Sequence, residues 1–144
     1  MQRSDREKTR AGSRRVPLLL LVLATWGSLA PYVATALGLI VVVRPIVEVV
    51  DHVIPGVILL AIAAAALATR RFPLVAALAA ALASLWMTAT HVPLVVQGAR
   101  GGVSMAAALF HSIPGMAALV VSVVAVVLAW DADERGADVS PPAP

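Results

Sequence analysis

The sequence predicts an all-α membrane protein, a bundle of four transmembrane helices arranged as two tandem two-helix repeats. The chain of 144 residues is 60% hydrophobic and only 13% charged, with a mean hydropathy of +0.93, whereas soluble domains are about half apolar and about a quarter charged. It also contains four long uncharged stretches, and a short histidine-containing pattern occurs twice. Because a soluble domain this small has a high surface-to-volume ratio, it could not bury so much apolar surface, so we expect lipid to cover the excess.

The four uncharged stretches are the predicted membrane spans. A helix needs about 20 apolar residues to cross the hydrocarbon core of a bilayer, and each stretch approaches or exceeds that length. Pro17 and Pro73 fall in the first turns of the first and third stretches, where a helix does not need the missing N–H group. The predicted spans are residues 16–43, 52–69, 72–99 and 101–130.

Both ends of the chain are predicted to be disordered. Residues 1–15 are rich in basic residues, and residues 131–144 are largely polar and end in Ser-Pro-Pro-Ala-Pro. Such compositions cannot bury enough apolar surface to offset the entropy of ordering. The chain is therefore divided into a basic tail at 1–15, a four-helix transmembrane domain at 16–130 and a second tail at 131–144.

The distribution of Lys and Arg predicts that both termini lie in the cytoplasm. With four spans, the two tails and the turn at 70–71 share one side, which carries nine basic residues: six in the first tail, two in the turn and Arg135. The opposite side carries only Arg44 and Arg100, and the more basic side of a membrane protein faces the cytoplasm. One lysine against ten arginines, with heavy use of Ala and Val, is typical of a GC-rich genome, so we expect a bacterial plasma membrane.

A cleaved signal peptide is the alternative interpretation of the N-terminal region. Basic residues precede an apolar run, and small residues stand at Ser28 and Ala30. However, the uncharged stretch continues to Val43, which is longer than the apolar region of a signal peptide, and Pro31 follows the expected cleavage site. The sequence therefore favours a first membrane span.

The pattern His-x-Ile-Pro-Gly occurs at residues 52–56 and again at 111–115, an offset of 59 residues. Trp26 and Trp86 recur at an offset of 60. Coincidence within a biased composition is the alternative, but His, Pro and Gly are scarce in this chain. Two repeats of two spans each would share one orientation, which predicts a pseudo-two-fold axis along the membrane normal.

The three histidines of the chain are predicted to lie at one depth. Counting about 20 residues outward from each cytoplasmic boundary places them near the outer edge of the hydrocarbon core. The segments 44–51 and 92–110 are then either short interfacial helices or extensions of tilted spans, and the sequence leaves both open. The polar residues at this level include His52, His91, His111, Glu48 and Asp51.

This polar level has a structural and a functional interpretation. In the structural one, Asp51 caps the second helix, and the histidines bond carbonyl groups freed by nearby prolines. In the functional one, the histidines converge with a carboxylate on a metal ion or a proton, because imidazole and carboxylate bind zinc, copper and iron. No pair has the spacing of a known metal motif such as His-Glu-x-x-His. The candidate metal ligands are His52, His91, His111, Glu48 and Asp51.

The third span carries small residues at four-residue intervals, Ala76 with Ala80 and Ala79 with Ala83. Small residues at this spacing allow two helix backbones to approach closely. Packing inside the bundle and a docking face for a partner are both consistent with the pattern.

Several classes of function are disfavoured by the sequence. The absence of cysteine excludes disulfides and thiolate sites, and no Walker, dinucleotide, nucleophile-elbow or kinase motif occurs. The basic tail lacks an aromatic platform and is expected to contact anionic lipid, not nucleic acid.

We therefore expect a non-enzymatic accessory or interaction subunit without a cofactor, whose partners are the lipid bilayer and a larger membrane complex or a second copy. The alternative is a transporter-like protein that binds a small molecule, a metal ion or a proton at the histidine level.

Overall fold

The computed structural model describes residues 2–37 and 45–137, and within these ranges it contains helices and turns but no β-strand. The second long helix has a π-helical segment between two α-helical parts and continues through all three without a break. The predicted all-helical chain, with four helices long and apolar enough to cross a membrane, is confirmed. The elements are α1 (Gln2–Ala36), α2 (Pro45–Glu48), the π-helical segment (Val49–Val53), α3 (Ile54–Thr69), α4 (Leu74–Ala99) and α5 (Met105–Ala137).

Helical structure extends beyond three of the four predicted spans, whereas α4, with 26 residues, is two residues shorter than the third span. α1 begins at Gln2 and α5 ends at Ala137, so helical backbone reaches into both segments for which disorder was predicted. The segments 45–51 and 92–110 form no separate helices. Residues 45–51 continue into α3, residues 92–99 belong to α4, and residues 105–110 belong to α5, with a turn at 100–104 between them. Residues 38–44 and 138–144 lie outside the described part of the chain, and the division into tails and a transmembrane domain stays a prediction.

One tight turn connects α3 to α4, and another connects α4 to α5. α3 is followed by Arg70, its C-cap residue, which adopts the left-handed conformation with φ of 56°. α4 ends in a Schellman motif, in which Gly102 N–H donates to Gln97 C=O and Gly101 N–H donates to Gly98 C=O. Gly101 supplies the positive φ of 76° that this motif requires. These short turns make α4 antiparallel to both of its neighbours along the chain.

Small side chains fill the interior of the bundle. Along α4 the buried residues recur every three or four positions, which puts them on one helix face. The same spacing occurs on the other long helices. Ala80 and Ala83 are buried, whereas Ala79 is exposed, so the alanine pattern of the third span mainly serves packing inside the bundle. The central core consists of Leu20, Ala24, Leu59, Ala63, Ala80, Ala83, Met87 and Ala118.

The four long helices form a ring in which each contacts two neighbours. α1 packs against α3 and α5, and α4 packs against the same two helices. Gly56 of α3 lies against Ser28 of α1, where an added Cβ would be 1.7 Å from Ser28 Oγ. Gly115 of α5 lies against Met87 of α4, where an added Cβ would be 3.0 Å from Met87 Cγ. The two glycines therefore allow the close helix contacts that bring the histidine level together.

Candidate metal centre

The three histidines meet inside the helical bundle. His52 Nε2 lies 2.8 Å from His91 Nε2 and 2.8 Å from His111 Nε2. One nitrogen of each ring lies within 4.8 Å of the other two. The His52 ring is steeply inclined to the other two rings, with centroids 4.4 and 4.5 Å apart. Residues that the sequence placed at one level thus converge on one point.

His52 and His91 are anchored from behind by backbone carbonyl groups. His52 Nδ1 lies 2.9 Å from Gly27 C=O of α1, and His91 Nδ1 contacts Met87 C=O one turn earlier in α4. Because a carbonyl oxygen can only accept a hydrogen bond, the Nδ1 atom of each neutral ring carries the proton. The lone pair of each ring is then on Nε2, which faces the cluster.

Pro31 explains why Gly27 C=O is available to His52. In a regular α-helix this carbonyl accepts a hydrogen bond from the N–H group four residues later, at position 31. Proline has no N–H group, so Pro31 leaves Gly27 C=O without that donor. His52 Nδ1–H occupies the acceptor from the neighbouring helix. The carbonyl and imidazole groups therefore satisfy each other inside the bundle.

The inward-facing nitrogens cannot all form ordinary hydrogen bonds with each other. When His52 and His91 are neutral with protonated Nδ1 atoms, both Nε2 atoms are acceptors, and neither can donate across the 2.8 Å that separates them. Two lone pairs at this distance repel each other. A cation at the centre, either a proton or a metal ion, converts the repulsion into attraction.

A carboxylate lies on one side of the three rings. Glu48 Oε2 is 3.3 Å from His52 Nε2 and 3.6 Å from His111 Nε2. This oxygen is buried and has no hydrogen-bond partner among the described residues. A buried charged oxygen without a partner costs about 1–3 kcal/mol or more. When ionised, Glu48 adds a negative charge to the same centre that the imidazole lone pairs face.

Asp51 is separate from this cluster. It is half-buried, and no ion pair or hydrogen bond joins its carboxylate to the three histidines in the described structure. Of the five candidate ligands, four therefore come together and Asp51 does not. Its predicted role as a helix cap also has no counterpart, since α3 begins after Val53 with no side-chain cap hydrogen bond.

The π-helical segment places Glu48 and His52 on the inner face together. Pro55 has no N–H group for Asp51 C=O, and its ring would collide with that carbonyl in a regular helix. The chain widens instead, and Ile54 N–H donates to Val49 C=O five residues earlier. Each histidine precedes a proline by two or three residues, at Pro55, Pro93 and Pro114. A proline thus follows each histidine of the polar centre, and at Pro55 it is accompanied by the π-helical segment.

Four of the six separations between the candidate ligand atoms can be compared with those of a tetrahedral metal site. Zinc binds histidine nitrogen at about 2.0–2.1 Å, which places two ligand atoms about 3.3 Å apart. The separations from Glu48 Oε2 to the two nitrogens are near this value, and the 2.8 Å separations between imidazoles are about 0.5 Å shorter. Small outward movements of the rings would admit an ion.

Comparison with known proteins adds no assignment. No protein-family model, curated protein or solved structure gives a significant match to the sequence. The functional interpretation therefore depends on the geometry of the centre alone.

Proposed function

We propose that this protein is a membrane protein that binds a transition-metal ion of the zinc class within its helical bundle. The observation that carries the proposal is the convergence of three Nε2 atoms, two of which are fixed as acceptors by the carbonyl groups behind them. Imidazole is a common ligand of zinc, copper, iron and nickel. The hydrogen bonds at Nδ1 are the outer-shell contacts that orient histidine ligands in metal proteins.

Membrane insertion is supported by the outer surface of the bundle. Large apolar side chains cover the outward faces of all four long helices, including Leu29, Leu82 and Val120, which are more than half exposed. In water such a surface would be a large apolar patch, whereas hydrocarbon covers it without cost. We propose a bacterial plasma membrane, with both termini in the cytoplasm and the histidine centre in the outer half.

We further propose that residues 17–69 and 74–128 are related as tandem repeats. Support comes from the packing of equivalent positions, since Gly56 contacts α1 and Gly115, 59 residues later, contacts α4. His52 and His111 have the same offset and contact each other across the ring of helices. A pseudo-two-fold axis between the two halves would pass close to this pair.

Metal analysis of the full chain tests the proposed function. The protein is purified in mild detergent, incubated with Zn²⁺, freed of excess metal and analysed for bound zinc. We expect a single ion per chain, bound by nitrogen and oxygen ligands at about 2.0–2.2 Å without sulfur in X-ray absorption spectra. His52→Ala, His91→Ala and His111→Ala should each remove the ion.

Two further variants separate ligand loss from misfolding. His91→Gln keeps most of the volume and polarity of His91 but removes the Nε2 ligand, so it should lose the ion while retaining wild-type helix content. Asp51→Asn, at the same level but outside the cluster, should keep the ion. A wild-type protein that retains no zinc, copper or iron, or one whose zinc survives all three histidine substitutions, contradicts the proposal.

The expected role as an accessory or interaction subunit stays a prediction. Among the described residues nothing identifies a partner, and a metal-binding subunit of a larger membrane complex would satisfy both hypotheses. Recovery of the intact chain from membranes under mild detergent, followed by identification of co-purifying proteins, tests that role separately from the metal content.

A further inference from the structure

Glu48 is the one acidic side chain within ion-pair distance of the histidine rings in the described structure. Its Oε2 atom lies within 3.6 Å of two Nε2 atoms, and it is buried without a hydrogen-bond partner among the described residues. A carboxylate in this position is poorly satisfied as long as the centre contains only neutral imidazoles. A metal ion at the centre would give this oxygen a partner of opposite charge.

The freedom of the Glu48 side chain also differs from that of the anchored rings. The side chain of Glu48 is 20% exposed, against 2% for His52, and no hydrogen bond fixes its Oε2 atom. It can therefore shift by the few tenths of an ångström that a bond to an ion requires. His52 and His91 are held by carbonyl groups and supply the rigid part of the site.

We propose that Glu48 is the fourth ligand of the ion and makes the site selective for a divalent cation over Cu⁺. This inference rests on the proposed function, because it presupposes an ion held by the three histidines. Three neutral imidazoles accept either Zn²⁺ or Cu⁺. A carboxylate adds a full negative charge and a hard oxygen ligand, both of which favour the doubly charged ion over the soft, singly charged one.

The selectivity is tested with matched amide variants. Glu48→Gln keeps the size of the side chain and an oxygen but removes the charge, whereas Asp51→Asn removes a charge three residues away that forms no ion pair with the histidines. Affinities for Zn²⁺ and for Cu⁺, the latter under reducing conditions, are measured on the full chain in detergent by competition with chromophoric chelators. Helix content and elution profile show that both variants fold.

We expect Glu48→Gln to weaken Zn²⁺ binding about tenfold or more, the size of effect found for changes around metal ligands. Its Cu⁺ affinity should stay within about threefold of wild type, so the ratio of the two affinities falls. Asp51→Asn should leave both affinities within about threefold, because Asp51 forms no ion pair or hydrogen bond with the histidines and its charge is partly screened by solvent.

The outcomes separate this inference from the proposed function. If the wild type binds zinc through its histidines but Glu48→Gln leaves the ratio of Zn²⁺ to Cu⁺ affinity unchanged, Glu48 is not a selective ligand and only the present inference fails. Equal effects of Glu48→Gln and Asp51→Asn would mean that net charge, not coordination, acts on the ion, and would also overturn it. If the wild type binds neither ion, the proposed function itself fails.

Discussion

Replacing Pro31 with alanine should weaken metal binding although Pro31 does not touch the ion. The substitution restores an N–H group at position 31, which can donate to Gly27 C=O along α1. In the wild-type protein that carbonyl accepts a hydrogen bond from His52 Nδ1, and the nitrogen and oxygen atoms are 2.9 Å apart. A second donor on the same acceptor weakens the hold on the His52 ring and lets Nε2 turn away from the centre.

The size of the effect follows from the hydrogen bond that is shared. A carbonyl oxygen has two lone pairs and can accept from two donors, so we expect the His52 hydrogen bond to be weakened and not lost. A neutral hydrogen bond contributes about 0.5–1.5 kcal/mol net, and about 1.4 kcal/mol corresponds to a factor of ten in affinity. We therefore expect the Zn²⁺ affinity of Pro31→Ala to fall by about three- to tenfold.

The folded state of this variant should not become less stable. Proline in a helix interior costs about 3 kcal/mol relative to alanine, and removing two buried ring carbons costs about 1.6 kcal/mol at most. The two contributions oppose each other, with a net change near zero or favourable to folding. Weaker metal binding by Pro31→Ala would therefore not reflect unfolding.

Chelator competition on the full chain in detergent measures the affinity, and thermal unfolding without metal measures stability. Pro17→Ala is the matched control, because Pro17 is also fully buried in α1 but lies about 21 Å away along the helix. If Pro31→Ala binds Zn²⁺ as tightly as Pro17→Ala does, the carbonyl of Gly27 does not orient His52, and the explanation of the fixed lone pairs is wrong.

Three further predictions concern stability and topology. Gly56→Ala should destabilise the bundle by about 1–3 kcal/mol through overpacking, and Ser28→Ala should relieve much of that loss in the double variant, because Ser28 Oγ lies where the new methyl group would be; additive effects would contradict this contact. Zn²⁺ at a hundred times its dissociation constant should stabilise the wild type by about 2.7 kcal/mol, and His91→Gln should show no such shift in unfolding temperature. A reporter active only outside the cytoplasm, fused after Pro144, should be inactive, since nine basic residues against two direct both termini inward.

The sequence determined the helices well because charge and apolar length are local properties. The boundaries near Arg70 and Arg100 were correct within a few residues, since each is marked by a charged residue. The inner face of each helix was harder to predict. Apolar residues occupy both faces, and the inward face differs mainly in having small residues, such as Ala80 and Ala83, in place of large ones. Hydrophobic periodicity therefore carries little information in this chain.

The candidate site was only partly predictable for a different reason. A count of residues along each helix gives the depth of the histidines, but not the rotation that decides whether they face each other. Asp51 was included because of its depth, and the rotation of the helix at the π-helical segment favours Glu48 and His52 instead. The carbonyl of Gly27 was missed. A proline inside an apolar span, such as Pro31, was the available sign. The carbonyl four residues earlier lacks its helical N–H donor and can accept a hydrogen bond from another group.

The proposed repeat accounts for only part of the centre. His52 and His111 recur at an offset of 59 and contact each other, so a symmetric pair of two-helix units could supply these two ligands. The other two groups have no equivalents. At the offset of 59, Tyr32 corresponds to His91 and is exposed, and Ala107 corresponds to Glu48. If the halves arose by duplication, a symmetric ancestor with this pair alone would have had two imidazole ligands, too few for a tetrahedral site. The third imidazole comes from the second half and the carboxylate from the first, and each is present once. The centre therefore needs two halves that differ in sequence, which a single chain supplies and a pair of identical subunits does not.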